Sequence, residues 1–171
     1  MSVLGPLLYL AVGLLLWPFV EYLIHGVLAH GLRTPVSPLH WGHHRAPERV
    51  FTSPLAWLPV LALVFGGLAA LLDAPRAAAL SAGLLAGFLR YEYAHWRIHF
   101  RTPRSGREAL LRAHHLAHHY RNPRAYYAVS NRLLDRLFGS LPEQWESDYA
   151  AVAEHPPLGG ASNLGQLIPR G

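Results

Sequence analysis

The sequence contains no cysteine, no lysine and little charge of either sign. Without cysteine, the chain has no disulfides, no iron–sulfur cluster and no zinc held by thiolates. Charged residues make up 15% of its 171 positions, against roughly 25% in an ordinary soluble domain, whereas 51% are hydrophobic. The charges gather between long apolar runs that carry almost none. This contrast is typical of a protein for which lipid is part of the solvent.

The basic residues are all arginine, and the chain has a net charge of +5 and a pI near 10. A basic chain can bind nucleic acid, but no basic helix or aromatic-studded sheet accompanies these arginines. They flank the apolar runs instead. The pattern favours a membrane surface and argues against nucleic acid as a partner.

Three apolar runs predict an all-α membrane protein with about three transmembrane helices. The first, from Leu4 to about Ile24, can span a bilayer of ~30 Å at ~1.5 Å per residue. It has no basic start and no small-residue cleavage site, so we expect a mature span rather than a signal peptide. The second, Pro54 to Leu72, and the third, Ala77 to Leu89, are separated by the short break Asp73 to Arg76. That break predicts an antiparallel helical hairpin.

The arginine distribution predicts the orientation and the domain organisation. The segments between runs one and two and after Arg90 are Arg-rich, so the positive-inside rule places them in the cytoplasm. We therefore expect an integral membrane protein, in a bacterial inner membrane, with a cytoplasmic helical cap after the third span. Residues 1–140 would form the membrane-embedded catalytic domain. Residues 141–171 are rich in proline and glycine and predict a loosely structured tail.

Histidine is unusually frequent, and eleven of the twelve histidines fall in four groups, His155 being the exception. The groups are His25 and His30; His40, His43 and His44; His95 and His99; and His114, His115, His118 and His119. Residues four apart share one face of a helix, and each His-x-x-His-His places three imidazoles on one side of a turn. His25 and His30, five apart, would lie ~140° apart on a regular helix. We therefore expect Gly26 or the helix end to distort that turn.

This arrangement favours a two-metal catalytic site. A metal-sequestering tract would be a low-complexity run in one loop, and a structural zinc needs only four ligands. Imidazole also suits iron, zinc, copper and nickel, so the histidines leave the metal open. Glu21 and Glu92 lie about one turn before the first histidine of their groups. Each could accept a hydrogen bond from a ligand's second ring nitrogen, or could simply extend toward the membrane interface.

The order of the groups and their flanking residues resemble the membrane fatty acid hydroxylases of the sterol desaturase superfamily. Residues 115–122, His-Leu-Ala-His-His-Tyr-Arg-Asn, are especially similar to the fatty acid 2-hydroxylases. Tyr91-Glu92 stands where the family often has Tyr-Asp. Residues 127–130 and 135–140 resemble two further family segments, with Leu134 in place of the usual tryptophan. The resemblance covers residues 21–140.

The resemblance implies a centre of two iron ions, which zinc could replace in the purified protein, with O2 as co-substrate. The ligands that it implies are His25, His30, His40, His43, His44, His95, His99, His115, His118 and His119. His114 would lie beside this set, with Asp135 in a supporting role. The implied reaction is hydroxylation of a C–H bond in a fatty acyl or related long-chain lipid.

A hydroxylase of this kind needs electrons from elsewhere. We expect a separate ferredoxin or cytochrome b5-like donor, with its reductase, to dock on the arginine-rich face of the cap. The arginines concerned are Arg101, Arg104, Arg107, Arg112, Arg121 and Arg124. The alternative is that they are ordinary positive-inside charges.

Three alternatives stay open. The bacterial β-carotene hydroxylases have similar histidine groups, but their third motif is usually His-x4-His, where this chain has His95-x3-His99. Desaturation of a lipid or sterol begins with the same hydrogen abstraction as hydroxylation. A non-catalytic membrane metal transporter belongs to another class, and it predicts ligands along a path inside the spans rather than at one face.

Overall fold

The computed structural model describes residues 4–158, and every regular element within that range is a helix. The elements are α1 (Leu4–Tyr22), a π-helix π1 (Leu23–Gly31), α2 (Val36–Arg45), α3 (Pro54–Leu71), α4 (Ala74–Phe100), α5 (Gly106–Tyr120), α6 (Leu133–Leu137) and α7 (Trp145–Val152). The predicted all-α class is confirmed for this part of the chain. The chain divides into two compact units. We call residues 4–21 with 51–92 the apolar unit, and residues 22–50 with 93–158 the histidine unit.

Two helical stretches are long and apolar enough to cross a membrane. They are Leu4–Gly31 and Pro54–Leu71, each with a mean hydropathy of 2.0 over its most apolar window. The third predicted span lies within α4, which is one continuous helix across residues 77–89. Its helical state is confirmed, and its crossing of the membrane stays a prediction.

The predicted helical hairpin of runs two and three is present in the apolar unit. Only Leu72 and Asp73 separate α3 from α4, and the Asp73 carboxylate accepts a hydrogen bond from the Arg76 N–H at 3.0 Å. Residues 58–65 of α3 line a groove together with residues 78–85 of α4. The tight turn therefore reverses the direction of the chain, and α4 runs alongside α3.

The surface of α3 is apolar and exposed. No residue of α3 is buried, and Leu55, Leu63 and Leu71 have 88%, 77% and 82% of their surface exposed. In water, such a contiguous apolar surface would be unfavourable by roughly 25 cal/mol for each Å². A core helix of a soluble protein would instead be mostly buried. The surface of α3 has the chemistry expected of a helix surrounded by lipid.

Glycines allow α1 and α4 to pack backbone against backbone. A Cβ added at Gly83 would overlap the carbonyl oxygen of Leu10, and one added at Gly87 would overlap the Trp17 side chain. Gly13 meets the backbone of α4 in the same way. Small residues spaced four apart, as Gly83 and Gly87 are, are typical of close helix contacts in membranes.

The histidine unit has its own small core between α5 and α7. The Ser105 side chain caps α5 by accepting a hydrogen bond from the Glu108 N–H. The buried residues of this core are Leu116, Ala117, Ala125, Tyr126, Tyr149 and Val152. Packing on this core fixes the face of α5 that carries four histidines.

The prediction of a loosely structured tail is wrong for residues 145–152, which form α7. Tyr149 and Val152 of α7 are buried against α5, and this tertiary contact stabilises a helix that local composition disfavours. Beyond α7, the Leu158 N–H donates to the His99 carbonyl at 2.7 Å. Residues 159–171 of the predicted tail lie outside the described range, and the boundary of the predicted catalytic domain at residue 140 stays a prediction.

Candidate metal centre

Ten histidines of the histidine unit gather in two groups of five. Site A consists of His25, His30, His40, His44 and His118, and site B of His43, His95, His99, His115 and His119. Within each group, one ring nitrogen from every histidine lies within 4.8 Å of the others. All ten histidines singled out in the sequence are therefore brought together. The neighbours His43 and His44 belong to different sites.

The π-helix explains how His25 and His30 reach the same site. In a π-helix each N–H bonds to the carbonyl five residues earlier, so residues five apart face the same way. The two ring centroids are 5.3 Å apart. The predicted distortion of this turn is confirmed, and it takes the form of π1. A Cβ at Gly26 would lie 2.9 Å from the Tyr127 ring, so glycine allows that ring to pack there.

The two His-x-x-His-His groups each divide between the sites. On α2, His40 and His44 join site A and His43 joins site B. On α5, His118 joins site A, while His115 and His119 join site B. Adjacent residues on a helix point ~100° apart, so one short helix can supply two ions. The spacing alone predicts three imidazoles on one side of a turn and does not reveal this division between two sites.

The hydrogen bonds of the rings fix which nitrogen faces the site. The Nδ1 atoms of His25, His43 and His118 donate to the backbone carbonyls of Tyr127, Arg49 and Ala125. A carbonyl can only accept, so each Nδ1 carries the proton and each Nε2 is left with a lone pair. Such contacts orient metal-binding imidazoles in many proteins.

The spacing of the Nε2 atoms indicates a cation. The Nε2 atoms of His25 and His118 lie 3.0 Å apart, yet both are acceptors and cannot hydrogen-bond to each other. In total, six pairs of Nε2 atoms in the two sites are separated by 2.9–3.1 Å. Two nitrogens ~2.1 Å from one ion are ~3.0 Å apart at a right angle and ~3.4 Å apart at the tetrahedral angle. The separations are those expected of nitrogen pairs that share one metal ion, and they leave the identity of the metal open.

The protonation state of the rings also fits metal binding. Burial lowers the pKa of His43 to about 4, and burial together with neighbouring histidines lowers the pKa of His44 to about 3. Both rings are therefore neutral at pH 7 with a lone pair available. Buried ring nitrogens of His30, His43 and His119 have no hydrogen-bond partner, and a metal ion would satisfy them.

The predicted carboxylates differ in what they bind. Glu92 accepts hydrogen bonds from the Thr52 N–H and hydroxyl, both at 2.9 Å, within the apolar unit. The proposed orienting role of Glu92 and Glu21 therefore stays a prediction. Asp135 is fully buried and binds His114 Nε2 at 2.9 Å. The other ring nitrogen of His114 contacts the Tyr149 hydroxyl, so His114 lies outside both groups.

The predicted arginine docking face is wrong for Arg112. Its guanidinium is buried and donates to the carbonyls of Ile98 and His155. These two hydrogen bonds connect α5 to the end of α4 and to the segment after α7, so the guanidinium is not available to a partner. Arg104 and Arg121 are exposed but pair with Glu108 and Asp148.

The sequence does not predict the backbone carbonyls that orient the histidines, since every residue has a carbonyl and nothing in a sequence distinguishes one from another.

Residues 4–158 are helical throughout their regular elements, with two apolar helices and two adjoining five-histidine groups that could each hold a metal ion, and these features define a class of histidine-rich helical membrane proteins. The family model described as fatty acid hydroxylase matches residues 10–140, a range that contains all ten histidines. The chain belongs to the fatty acid hydroxylase family.

Several relatives are similar over most of this chain. Fatty acid 2-hydroxylase of Rattus norvegicus is 32% identical over 146 residues, which cover 77% of this chain and 39% of that protein. The dihydroceramide fatty acyl 2-hydroxylase FAH2 of Arabidopsis thaliana is 31% identical over 79% of this chain and 61% of its own length. The chain therefore spans about two fifths of the mammalian relative and three fifths of the plant one.

A solved structure has a similar fold. It is described as full-length scs7p with only the hydroxylase domain visible, and it superposes with a TM-score of 0.73 at 27% identity. The match covers 82% of this chain and 57% of that one.

Proposed function

We propose that this protein hydroxylates a C–H bond of a long-chain lipid with O2, using two iron ions held at sites A and B. The observation that carries the proposal is the pairing of the two five-histidine groups. They adjoin closely, since the stacked rings of His44 in site A and His119 in site B have centroids 4.2 Å apart. Bound there, two iron ions would supply the activation of O2 and the attack on an unactivated C–H bond.

The side chains of the protein hold and shield the ions in this proposal. His25, His30, His40, His44 and His118 would hold one ion, and His43, His95, His99, His115 and His119 the other. The carbonyls of Tyr127, Arg49 and Ala125 keep three of these rings in the Nδ1–H form, with Nε2 directed to the site. His95, His99, His115 and His118 are buried, so bulk water is kept from these ligands.

The relatives support the choice of substrate class. They are named for hydroxylation of fatty acids or of the fatty acyl group of dihydroceramide, at position 2. We propose a fatty acyl lipid of this kind for the present chain. The exposed apolar helices α1 and α3 support a substrate that is itself dissolved in the membrane.

The proposal includes three membrane spans, formed by α1 with π1, by α3 and by the first part of α4. It places the histidine unit on the cytoplasmic side of a bacterial inner membrane, as the arginine distribution predicts. Electrons would come from a separate ferredoxin or cytochrome b5-like protein with its reductase. Among the predicted docking residues, Arg101, Arg107 and Arg124 remain exposed and without an ion pair among those described for residues 4–158.

The test is mass spectrometry of the membrane lipids of a bacterium that expresses the protein aerobically. We expect an acyl lipid that gains one oxygen atom with the wild type and not with His118→Ala. The matched control is His155→Ala, which removes an exposed histidine outside both sites and should retain the product. Loss of two hydrogens instead would indicate a desaturase. A change in cellular metal content with unchanged lipids would contradict catalysis and favour a transporter.

A further inference from the structure

Two carbonyl groups of one short segment orient two ligands of site A. The Ala125 carbonyl accepts from His118 Nδ1 at 2.7 Å, and the Tyr127 carbonyl accepts from His25 Nδ1 at 2.5 Å. Both rings belong to site A, whereas His43 of site B is oriented by the Arg49 carbonyl. The position of residues 125–127 therefore bears directly on site A.

This segment has a backbone conformation that needs support. Tyr126 has φ = +60°, in the left-handed region that residues other than glycine rarely adopt, and its side chain is fully buried. Such a conformation persists only where the surrounding structure holds it. The Tyr126 hydroxyl donates to Asp148 at 2.6 Å, and the Tyr126 N–H donates to the Ser140 carbonyl at 3.0 Å.

Asp135 holds the opposite side of the same peptide groups. Its Oδ2 accepts from the Ala128 N–H at 2.8 Å, and its Oδ1 accepts from the Tyr127 N–H at 2.8 Å. The Tyr127 carbonyl and the Ala128 N–H belong to one planar trans peptide and point in opposite directions. Binding of that N–H by Asp135 therefore aims the Tyr127 carbonyl at His25.

The second peptide group is connected to Asp135 through Ser140. The Ala125 carbonyl, which orients His118, shares its peptide with the Tyr126 N–H that binds the Ser140 carbonyl. The Ser140 hydroxyl donates to Asp135 Oδ1 at 2.6 Å, and the Ser140 N–H donates to the Asp135 carbonyl. Asp135 therefore influences the orientation of His25 and of His118, in each case through one peptide group.

We propose that Asp135 is a positioning residue for the metal of site A. Through two peptide groups it sets the rings of His25 and His118, while His114 completes the set of donors around its buried carboxylate. The inference rests on the proposed function, because it takes the two histidine groups to hold one ion each. It distinguishes the sites: the ion of site A depends on Asp135 and the ion of site B does not.

The test is the metal content of the purified full chain, loaded with ferrous iron in detergent, with Asp135→Asn. An amide offers one oxygen and places an NH2 group where the second oxygen stood. Four N–H and O–H groups donate to the Asp135 carboxylate, and some of them would then face the NH2 group instead of an acceptor. We expect iron to fall from two ions per chain to one. Adding His44→Ala, in site A, should leave that value at one, whereas adding His99→Ala, in site B, should lower it to none.

The matched control is Glu108→Gln, another carboxylate of the histidine unit, which pairs with Arg97 and Arg104 and takes no part in holding residues 125–128. It should retain two ions. If Asp135→Asn does not fold, Ser140→Ala removes a single donor to Asp135 and should speed the loss of one ion, the one at site A, to a chelator.

Four outcomes would contradict the positioning role or the proposed function. Two ions retained as tightly as in the wild type would overturn the positioning role, and so would equal loss from both sites. Fewer than two ions in the wild type would overturn the proposed function itself. Two ions in the wild type without any lipid product would contradict hydroxylation and still leave the role of Asp135 to be read from the variants.

Discussion

At the residue scale, the proposed chemistry requires imidazole rings that are neutral and whose free ring nitrogen faces the site. Burial supplies the first condition by lowering the pKa of His43 and His44 far below neutral pH. Carbonyl acceptors supply the second by fixing the proton on Nδ1. Neither condition depends on the histidine alone, so the residues that place the acceptors also determine how the rings face sites A and B.

Gly26 offers a test of this dependence. With Gly26→Ala, the new Cβ would lie 2.9 Å from the Tyr127 ring and must displace it, although the Tyr127 carbonyl orients His25. We expect faster loss of one iron ion to a chelator, by about tenfold, which corresponds to ~1.4 kcal/mol. The control is Gly42→Ala on the ligand-bearing helix α2, where a Cβ meets nothing within 4 Å. Equally fast loss of iron from both variants would contradict a role of the Tyr127 position in holding that ion.

The sequence predicts the clustered histidines well and the groups that orient them poorly. Spacing and family resemblance singled out all ten histidines, and the five-residue gap between His25 and His30 predicted a distorted turn that is a π-helix. The acceptors at Ala125, Tyr127 and Arg49 carried no signal, because every residue has a carbonyl and only the tertiary structure selects one. Asp135 was placed in a supporting role, but its contacts with the 125–128 backbone required the structure.

At the element scale, the sequence predicts the long helices and fails to predict a short one. The apolar runs predicted α1, α3 and the hairpin with α4, because hydropathy over many residues outweighs local detail. Helix α7 was missed, since its eight residues offer too little periodicity and lie in a stretch rich in proline. It exists because Tyr149 and Val152 complete a core with α5.

The contact between α1 and α4 should be intolerant of any side chain at Gly83. A Cβ there overlaps the Leu10 carbonyl, which is backbone and cannot rotate away, so Gly83→Ala must separate the helices. We expect a loss of ~1–3 kcal/mol in stability, seen as a lower thermal midpoint in detergent by circular dichroism. Gly66→Ala is the matched control, because a Cβ on that face of α3 meets nothing within 4 Å. A midpoint as high for Gly83→Ala as for Gly66→Ala would contradict the close packing.

At the scale of the whole molecule, the clustered histidines and the exposed apolar helix α3 fall into different compact units. The apolar unit carries α3 and most of α1, and all ten clustered histidines lie in the histidine unit. The sequence already predicts this division, because most charged residues and histidines lie outside the apolar runs. The third span was less predictable. Residues 74–100 form one helix in which apolar and ligand-bearing segments are continuous, so no sequence boundary marks where a membrane would end.

The solvent around α3 can be tested with a substitution that would be harmless in water. Leu63 is near the middle of α3 and largely exposed, so Leu63→Arg disturbs no packing and would be tolerated by a soluble protein. In the middle of a span, the arginine should cost ~2.5–3.5 kcal/mol of insertion. We expect a smaller fraction of the Leu63→Arg protein than of the wild type to resist extraction by alkaline carbonate, because failed insertion of the α3–α4 hairpin leaves only the first span in the bilayer. Leu55→Arg, at the exposed first turn of the same helix, should remain embedded because its side chain can extend to the interface. If both variants stay in the membrane as well as the wild type, lipid does not surround the centre of α3.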